Sequence, residues 1–490
     1  MNTKQLRQKI LDLAIRGKLV PQDPNDEPAS VLLERVRAEK ERLIKEGKIK
    51  RGKGDLVIAK CDYSYYANLP DSWAVARLSS ICSLLTDGTH QTPTYSKEGY
   101  VFLSSKNVTS GKIDWDNVMY IPQELHEVLY NRVAPELGDI LLAKNGTTGF
   151  AAVVDRDCVF DIYVSLAIIR TFKKEILPKY LLYAISSENI QEHFRGNLKG
   201  IGVPNLHLEH IRSAIVPLPP LAEQHRIVAS IESAFTLIDE IERNKNDLQT
   251  AVTVAKQKIL SLAICGKLVP QDPDDEPAAV LLERIRTERE RLIKAGKVKK
   301  EKPLVPVTEK EIPFVVPDGW VWCRLDDIGM TNIGLTYKPT DIIDNGVPVL
   351  RSNNIKNGRL DFSDLVRVNT PINESLELNE GDILICARNG SRHLVGKCAL
   401  VQNKRERLTF GAFMAVYRSI CNHYVYYFLN TDAFRSIFQS KGISTQINQL
   451  TQAMIKQTLL PLPPLAEQQR IVTAIEAAFE QLDRIVEMCK

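Results

Sequence analysis

Two aspartates stand where a carboxylate could do chemistry. Asp139 lies in GDILLAKNG (138–146) and Asp382 in GDILICARNG (381–390). A carboxylate can hold a metal ion or move a proton, but either task needs partner groups at short range. Neither motif brings such companions. Each aspartate follows a glycine and opens an apolar run, the pattern of a turn entering a strand. NGTTG (145–149) is rich in glycine but too short to cradle a phosphate, and it reads as a β-turn. The eight histidines are dispersed, among them His90, His126, His193 and His393. The nine cysteines, Cys61, Cys82, Cys158, Cys265, Cys323, Cys386, Cys398, Cys421 and Cys489, contain no CxxC pair. That argues against a zinc site and suits reduced thiols in a cytosol. GxxxxGK[ST], GxGxxG after a strand, HExxH and GxSxG are all missing. The sequence therefore predicts no catalytic residue, no metal and no cofactor held by this chain.

The elements around these motifs occur twice. Residues 9–46 (KILDLAIRGKLVPQDPNDEPASVLLERVRAEKERLIKE) match 258–295 (KILSLAICGKLVPQDPDDEPAAVLLERIRTERERLIKA) nearly letter for letter. PLPPLAEQHRIVASIESAF (217–235) returns as PLPPLAEQQRIVTAIEAAF (461–479), and LPDSW ending at Trp73 returns as VPDGW ending at Trp320. Between these anchors the copies differ widely. A repeat present only twice is a tandem duplication, not a solenoid. Neutral drift would have eroded the frameworks too, so the pattern predicts a shared frame carrying two heads that bind different things.

Ile227, Ile231, Phe235 and Ile238 give the 3–4 residue spacing of a helix over 222–243, with Glu223 in its first turn and Pro217, Pro219 and Pro220 before it. The pattern carries on to Gly266, a C-cap residue, which predicts one helix over 222–265 of about 65 Å. Its counterpart is split: 466–487 matches 222–243, and 4–16 matches 253–265. Termini lying side by side would rebuild a second long helix, antiparallel to the first and giving a pseudo-twofold, circular layout. Further helices are expected at 28–46 and 277–295, with Pro28 and Pro277 in their first turns. Residues 31–53 and 280–302 each hold nine Lys/Arg against four Asp/Glu, the composition of a solvated helix face. The segments between carry short apolar runs (GYVFL, GDILLA, YVSLAIIR, GVPVL, GDILIC, FMAVY), read as strands, and helical stretches near 177–194 and 421–438. Trp73 and Trp320 read as core anchors. The fold class expected is α+β: two mixed α/β domains separated by paired long antiparallel helices.

At 490 residues with 44% hydrophobic and 25% charged residues, the chain is globular and large enough for several cores. The net charge of +4 permits a nucleic-acid partner without arguing for one. MNTKQLRQKILDLAI lacks the apolar core of a signal peptide, and no apolar run is long enough to span a bilayer, so a cytoplasmic location without membrane contact is expected.

Read together, LAIRGKLVPQDP, PLPPLAEQHRIV and GDIL, each in two copies, make the chain similar to the DNA-specificity subunits of type I restriction–modification systems over essentially its whole length. The resemblance implies two target recognition domains, each binding one half of a split, asymmetric site in double-stranded DNA, with helical regions that set the spacer. It implies no catalysis by the chain itself. It implies two methylation subunits, which use S-adenosylmethionine to modify adenine at N6, and two restriction subunits, which use ATP and Mg2+. The boundaries that follow are an N-terminal helical region 1–61, recognition domains 62–216 and 304–460, a central helical region 217–303 and a C-terminal helix 461–490. A two-headed protein-interaction scaffold without sequence-specific DNA binding is the alternative that the duplication also permits.

Under the DNA-binding reading, polar loops are the contact candidates, because Arg, Lys, Asn, Gln, Ser and Thr read base edges while Lys and Arg also hold phosphates. In the first domain these are Thr86, Asp87, Thr89, His90, Ser104, Ser105, Lys106, Asn107, Lys144, Asn145, Arg195, Lys199 and Asn205. In the second they are Arg351, Ser352, Asn353, Asn354, Arg388, Asn389, Arg392, Lys441, Ser444, Gln446 and Gln449. SSKN and RSNN follow the matching strands YVFL and VPVL, so unlike side chains are expected at one equivalent place.

Overall fold

The computed structural model describes residues 2–49, 64–91, 93–199, 204–296, 298, 304–439 and 448–489. The chain divides into two units, residues 1–244 and 245–490.

The first unit opens on the helix Thr3–Ile15, whose N-terminus is capped by Asn2 accepting from the Gln5 backbone N–H. It ends at Gly17, which sits at φ +66° against Pro70 and Trp73, a conformation and a closeness that admit no side chain. Ala29–Lys45 follows, with Pro28 at its N-cap instead of inside the first turn. Leu32, Leu33 and Val36 are its buried face. The α/β domain closes on itself where Ala74–Arg77 pairs antiparallel with Ile215–Leu218.

Between those strands lie two sheets. A four-stranded antiparallel sheet runs in the order Cys82–Asp87, Leu166–Thr171, Ile140–Ala143, Ala151–Val153. A three-stranded sheet has Tyr100–Leu103 between Met119–Ile121, antiparallel, and Phe160–Ile162, parallel. Ile140–Ala143 is buried throughout. Its alternate residues part to opposite sides: Ile140 and Leu142 join a core with the helices Pro178–Ser186 and Glu188–Gly196, while Leu141 and Ala143 join Leu103, Phe160 and Ile162 of the second sheet. Burial on both faces is why this strand reads as a continuous apolar run instead of alternating.

The second unit repeats this plan. Ala278–Lys294 matches Ala29–Lys45, again with a proline, Pro277, at the N-cap. Val321–Arg324 pairs with Leu459–Leu462. The larger sheet is Met330–Ile333, Met414–Arg418, Ile383–Cys386, Cys398–Leu400, and Ile342–Leu350 lies between Val366–Val368 and Thr409–Phe410 in the smaller. The expected helical stretches are Asn422–Leu429 and Asp432–Gln439.

Leu221–Ile264 is one unbroken helix of 44 residues. In the first unit Arg7 reaches Asp239 at 2.5 Å and Gln22 reaches Glu223 at 2.6 Å, so the N-terminal helix runs antiparallel to 221–244. In the second unit Lys256 meets Asp483 at 2.6 Å and Gln271 meets Glu467 at 3.0 Å, so 245–264 runs antiparallel to Leu465–Met488. The cations also lie over equivalent rings: Arg7 over Phe235 and Lys256 over Phe479. Among the described residues no helix is long and apolar enough to cross a membrane.

The GDIL aspartates are structural. Asp139 is fully buried, accepts from the Glu136 N–H and is gripped by two nitrogens of Arg170 at 2.7 and 2.8 Å. Asp382 is likewise buried and accepts from the Asn379 N–H, but Arg418 reaches both of its oxygens through Nε alone, at 2.9 and 3.1 Å; burial pushes the carboxyl above the ordinary range while the Asn379 N–H and Arg418 pull it back. Trp73 and Trp320 are buried, as expected of core anchors.

Candidate nucleic-acid interface

In the first unit five loop pieces gather at one end of the two sheets. Asp87 and Ala143 end their strands there, and Leu166 begins one, because its strand is antiparallel to both. Leu103 and Ile162 end the parallel pair of the second sheet. Backbone hydrogen bonds then tie the loops to one another. Thr89 N–H donates to Ile162 O at 3.3 Å and Tyr163 N–H to Leu103 O at 2.9 Å. Lys144 N–H donates to Ser165 O at 2.8 Å, and Leu206 N–H to Lys144 O at 2.7 Å. Asn145 faces Asn205, and Lys199 also bridges to Asn205. The Ser105 N–H is held by the Ser165 hydroxyl at 3.0 Å.

The candidate side chains do several different things. Asp87 and Lys144 form an ion pair of 2.9 Å with both side chains 7% exposed. His90 and Arg132 approach the same carboxylate at 3.4 and 3.7 Å, and Arg132 also donates to Gly88 O. Asp87 thus collects three basic groups at the strand tip. Thr86 is half-buried in its strand, Thr89 is buried, and Lys106 is exposed. Ser104 caps a short turn in which Asn107 is buried, its carbonyl bound by the Ser104 N–H and its amide bound to Asp114 O and Asn117 O. Arg195 lies on the last turn of Glu188–Gly196 and pairs with Glu188.

The second unit reproduces the backbone frame. Leu335 N–H donates to Phe410 O, Gly411 N–H to Leu350 O, Ala387 N–H to Phe413 O and Leu450 N–H to Ala387 O, at 2.7–3.0 Å. Arg388 faces Gln449 and Asn389 faces Asn448. Asn354 repeats Asn107, with its amide on Asp361 O and Asp364 O. The side chains around this frame are different. Ile333 and Ala387 stand where Asp87 and Lys144 do, so the ion pair has no equivalent. Phe413, 59% exposed, stands where Ser165 does, and the Arg388 guanidinium lies over its ring at 5.2 Å. Arg351 and Asn353 both reach Asp364, and the Asn389 amide donates to the Ser352 hydroxyl at 3.1 Å. Arg392 is exposed on a short turn. Lys441, Ser444 and Gln446 lie outside the described residues.

Sequence reasoning missed Tyr163–Ser165 and 411–413, which complete each cluster. It read YVSLAIIR and FMAVY as strands throughout, whereas the strands begin at Leu166 and Met414. The available signal was length: FDIYVSLAIIRT is too long for one ordinary strand and has to contain a turn. Arg132 and Asp364 were missed for want of any local motif. Among the described residues no group of three or more His, Cys, Asp or Glu could hold a metal ion.

Two α/β heads on one repeated helical frame define a duplicated recognition scaffold, and comparison with known proteins says which. Residues 70–249 and 317–487 match the family model described as the type I restriction modification DNA specificity domain. The type I restriction enzyme EcoAI specificity subunit of Escherichia coli is 30% identical over 98% of this chain and 90% of its own length. The EcoEI specificity subunit of the same species is 31% identical over the same shares. A chain from a structural study of complex assembly and conformational transition of the type I R-M system shares the fold, with a TM-score of 0.59 at 18% identity over 86% of this chain and 93% of that one. The chain belongs to the type I restriction–modification specificity subunits, which are the non-catalytic members of their systems.

Proposed function

We propose that each α/β domain reads one half of a split, asymmetric site in double-stranded DNA, 62–216 one half and 304–460 the other. The observation that carries this is the pair of loop clusters: one backbone frame, with different side chains set on it. A frame of that kind holds readers in the same pose while changing what they read.

The helical regions 1–61, 217–303 and 461–490 hold the heads and dock two methylation subunits, and two restriction subunits complete the assembly. Support comes from the surface of the two copies. Val31, Glu34 and Arg37 are exposed, and so are their counterparts Val280, Glu283 and Arg286. Exposed positions seldom matter to stability, so stability does not explain their identity; two copies of one partner do. S-adenosylmethionine, ATP and Mg2+ belong to those partners, and this chain holds none of them. The methylation partner has to flip its adenine out of the stack, which places it beside a reader domain.

Sequencing the modified bases of a host carrying the complete system tests the reading. A two-part motif with a modified adenine in each part is expected, and exchanging 62–216 for that of a relative should change one part only. A continuous motif, or a change in both parts, overturns it.

A further inference from the structure

We propose that Arg388 reads a guanine through the major groove, with Phe413 as the platform that holds its guanidinium flat. The inference rests on the reading of the second unit as a DNA reader and names the base that one of its side chains takes.

Three observations carry it. First, the Arg388 guanidinium lies 5.2 Å over the Phe413 ring, and no described residue takes its donors in a hydrogen bond or ion pair. An arginine presents a planar fork of donors and no acceptor, and guanine is the base whose major-groove edge offers two acceptors, O6 and N7, side by side. Second, Phe413 is a large apolar side chain left 59% exposed on a turn, where burial gives it no reason to be. Stacking under an arginine gives it one. Third, the backbone register matches Arg388 to Asn145 of the first unit: Arg388 faces Gln449 as Asn145 faces Asn205, each one residue after the position whose N–H donates to Phe413 O or Ser165 O. Arginine and platform are present together in one unit and replaced together in the other, by Asn145 and Ser165.

That joint replacement separates base reading from phosphate holding. The phosphate backbone is alike under every sequence, so a phosphate contact calls for a cation in both units. A side chain that reads a base is expected to differ between two half-sites. Asn145 presents one donor and one acceptor, the pattern of adenine, not of guanine.

The test uses the full chain assembled with its methylation subunits. Exchange of 304–460 first assigns the half-site. That half-site should contain a guanine that Arg388→Ala no longer requires, with the other half-site unchanged and methylation of the original site lowered roughly five- to hundredfold. Replacing that guanine by 7-deazaguanine, which lacks N7, should weaken binding of the unaltered complex, while inosine, which keeps O6 and N7, should not. Arg388→Ala should be indifferent to both. Arg388→Lys keeps the charge but loses the fork, so it should relax the motif too, and it serves where the alanine variant fails to fold. The inference is overturned by an assigned half-site without guanine, by equal weakening on all sequences with the motif intact, or by full rescue with lysine. A domain exchange that alters neither half-site overturns the reader assignment itself, whereas a working exchange with an unchanged Arg388→Ala motif sinks only the guanine contact.

Discussion

The indole nitrogen of Trp73 donates a 2.9 Å hydrogen bond to Oε2 of Glu223, and Trp320 donates one of 2.8 Å to Glu467 in the second unit. Glu223 is fully buried, and Gln22 donates to its other oxygen at 2.6 Å. Burial pushes the carboxyl up from its ordinary range, and the two donors and Arg226 work against that shift. One carboxylate therefore joins three separate pieces of a unit: the turn after the first helix, the tryptophan before the domain and the helix after it.

Removing that carboxylate should loosen all three. Glu223→Ala leaves the Trp73 indole N–H buried without an acceptor, a loss of about 1–3 kcal/mol, while the exposed Gln22 keeps the Gly17 carbonyl as a partner. Glu223→Gln keeps an acceptor for Trp73 and should lose clearly less. Urea unfolding of both variants, followed by tryptophan fluorescence, makes the comparison. Equal losses would show that packing, not the hydrogen bond, matters at this position.

The turn beneath the same tryptophans is constrained by sterics. Gly266 has φ +66°, and a Cβ there would lie 2.3 Å from Cγ of Pro317. Gly47 has φ +70° with nothing within 4 Å of its Cβ position. Gly47→Ala should cost only the backbone strain, about 1–2 kcal/mol. Gly266→Ala should cost that and the proline clash as well. Thermal melts of the two variants measure the difference, and matching melting temperatures would remove the clash from the account.

One pair, a buried arginine and an exposed glutamate, should show in acid. Glu311 is held by Arg324 at 2.8 Å and by the Thr308 N–H and hydroxyl, which lower its carboxyl to about 2. Its folded value lies below the unfolded value of about 4.3. The stability it contributes is therefore complete above about pH 4.3 and is lost as pH falls through 4 toward 2. Glu311→Gln should be less stable than the unaltered chain at pH 6, and the two should converge near pH 2. A constant gap across that range would contradict the linkage.

How much of this was legible depends on whether the signal is local. Leu221–Ile264 could be read because its apolar residues keep a helical period and its letters recur at 465–488. The GDIL strands could be read because both faces are buried. The loop clusters could be read only in part. Asp87 and Lys144 are 57 positions apart, and nothing in either neighbourhood announces the other. Asn107 and Asn354 look like surface hydrogen-bonding groups, but each spends its amide closing its own turn, a distinction that only the fold makes. Aligning KNG with RNG pairs Lys144 with Arg388, whereas the hydrogen-bond register pairs Arg388 with Asn145. One extra residue, Ala387, shifts the chemistry by a position without disturbing the motif.

The unbroken central helix offers a geometric test of the proposed spacer. Residues 244–252 are helical throughout, and none of the seven residues 244–250 is buried. Added residues there meet little packing to oppose them. Four inserted residues lengthen a helix by about 6 Å and turn it by roughly one full rotation, so each head keeps nearly its original facing. One base pair advances DNA by about 3.4 Å. The modified chain, assembled with its methylation subunits, should therefore accept a spacer longer by one or two base pairs with both half-sites unchanged. Two inserted residues turn the helix by roughly 200° and should abolish methylation instead of lengthening the spacer. The motif is read from the modified bases of a host carrying each version. Methylation retained at the original spacer after the four-residue insertion would show that another part of the chain sets the distance.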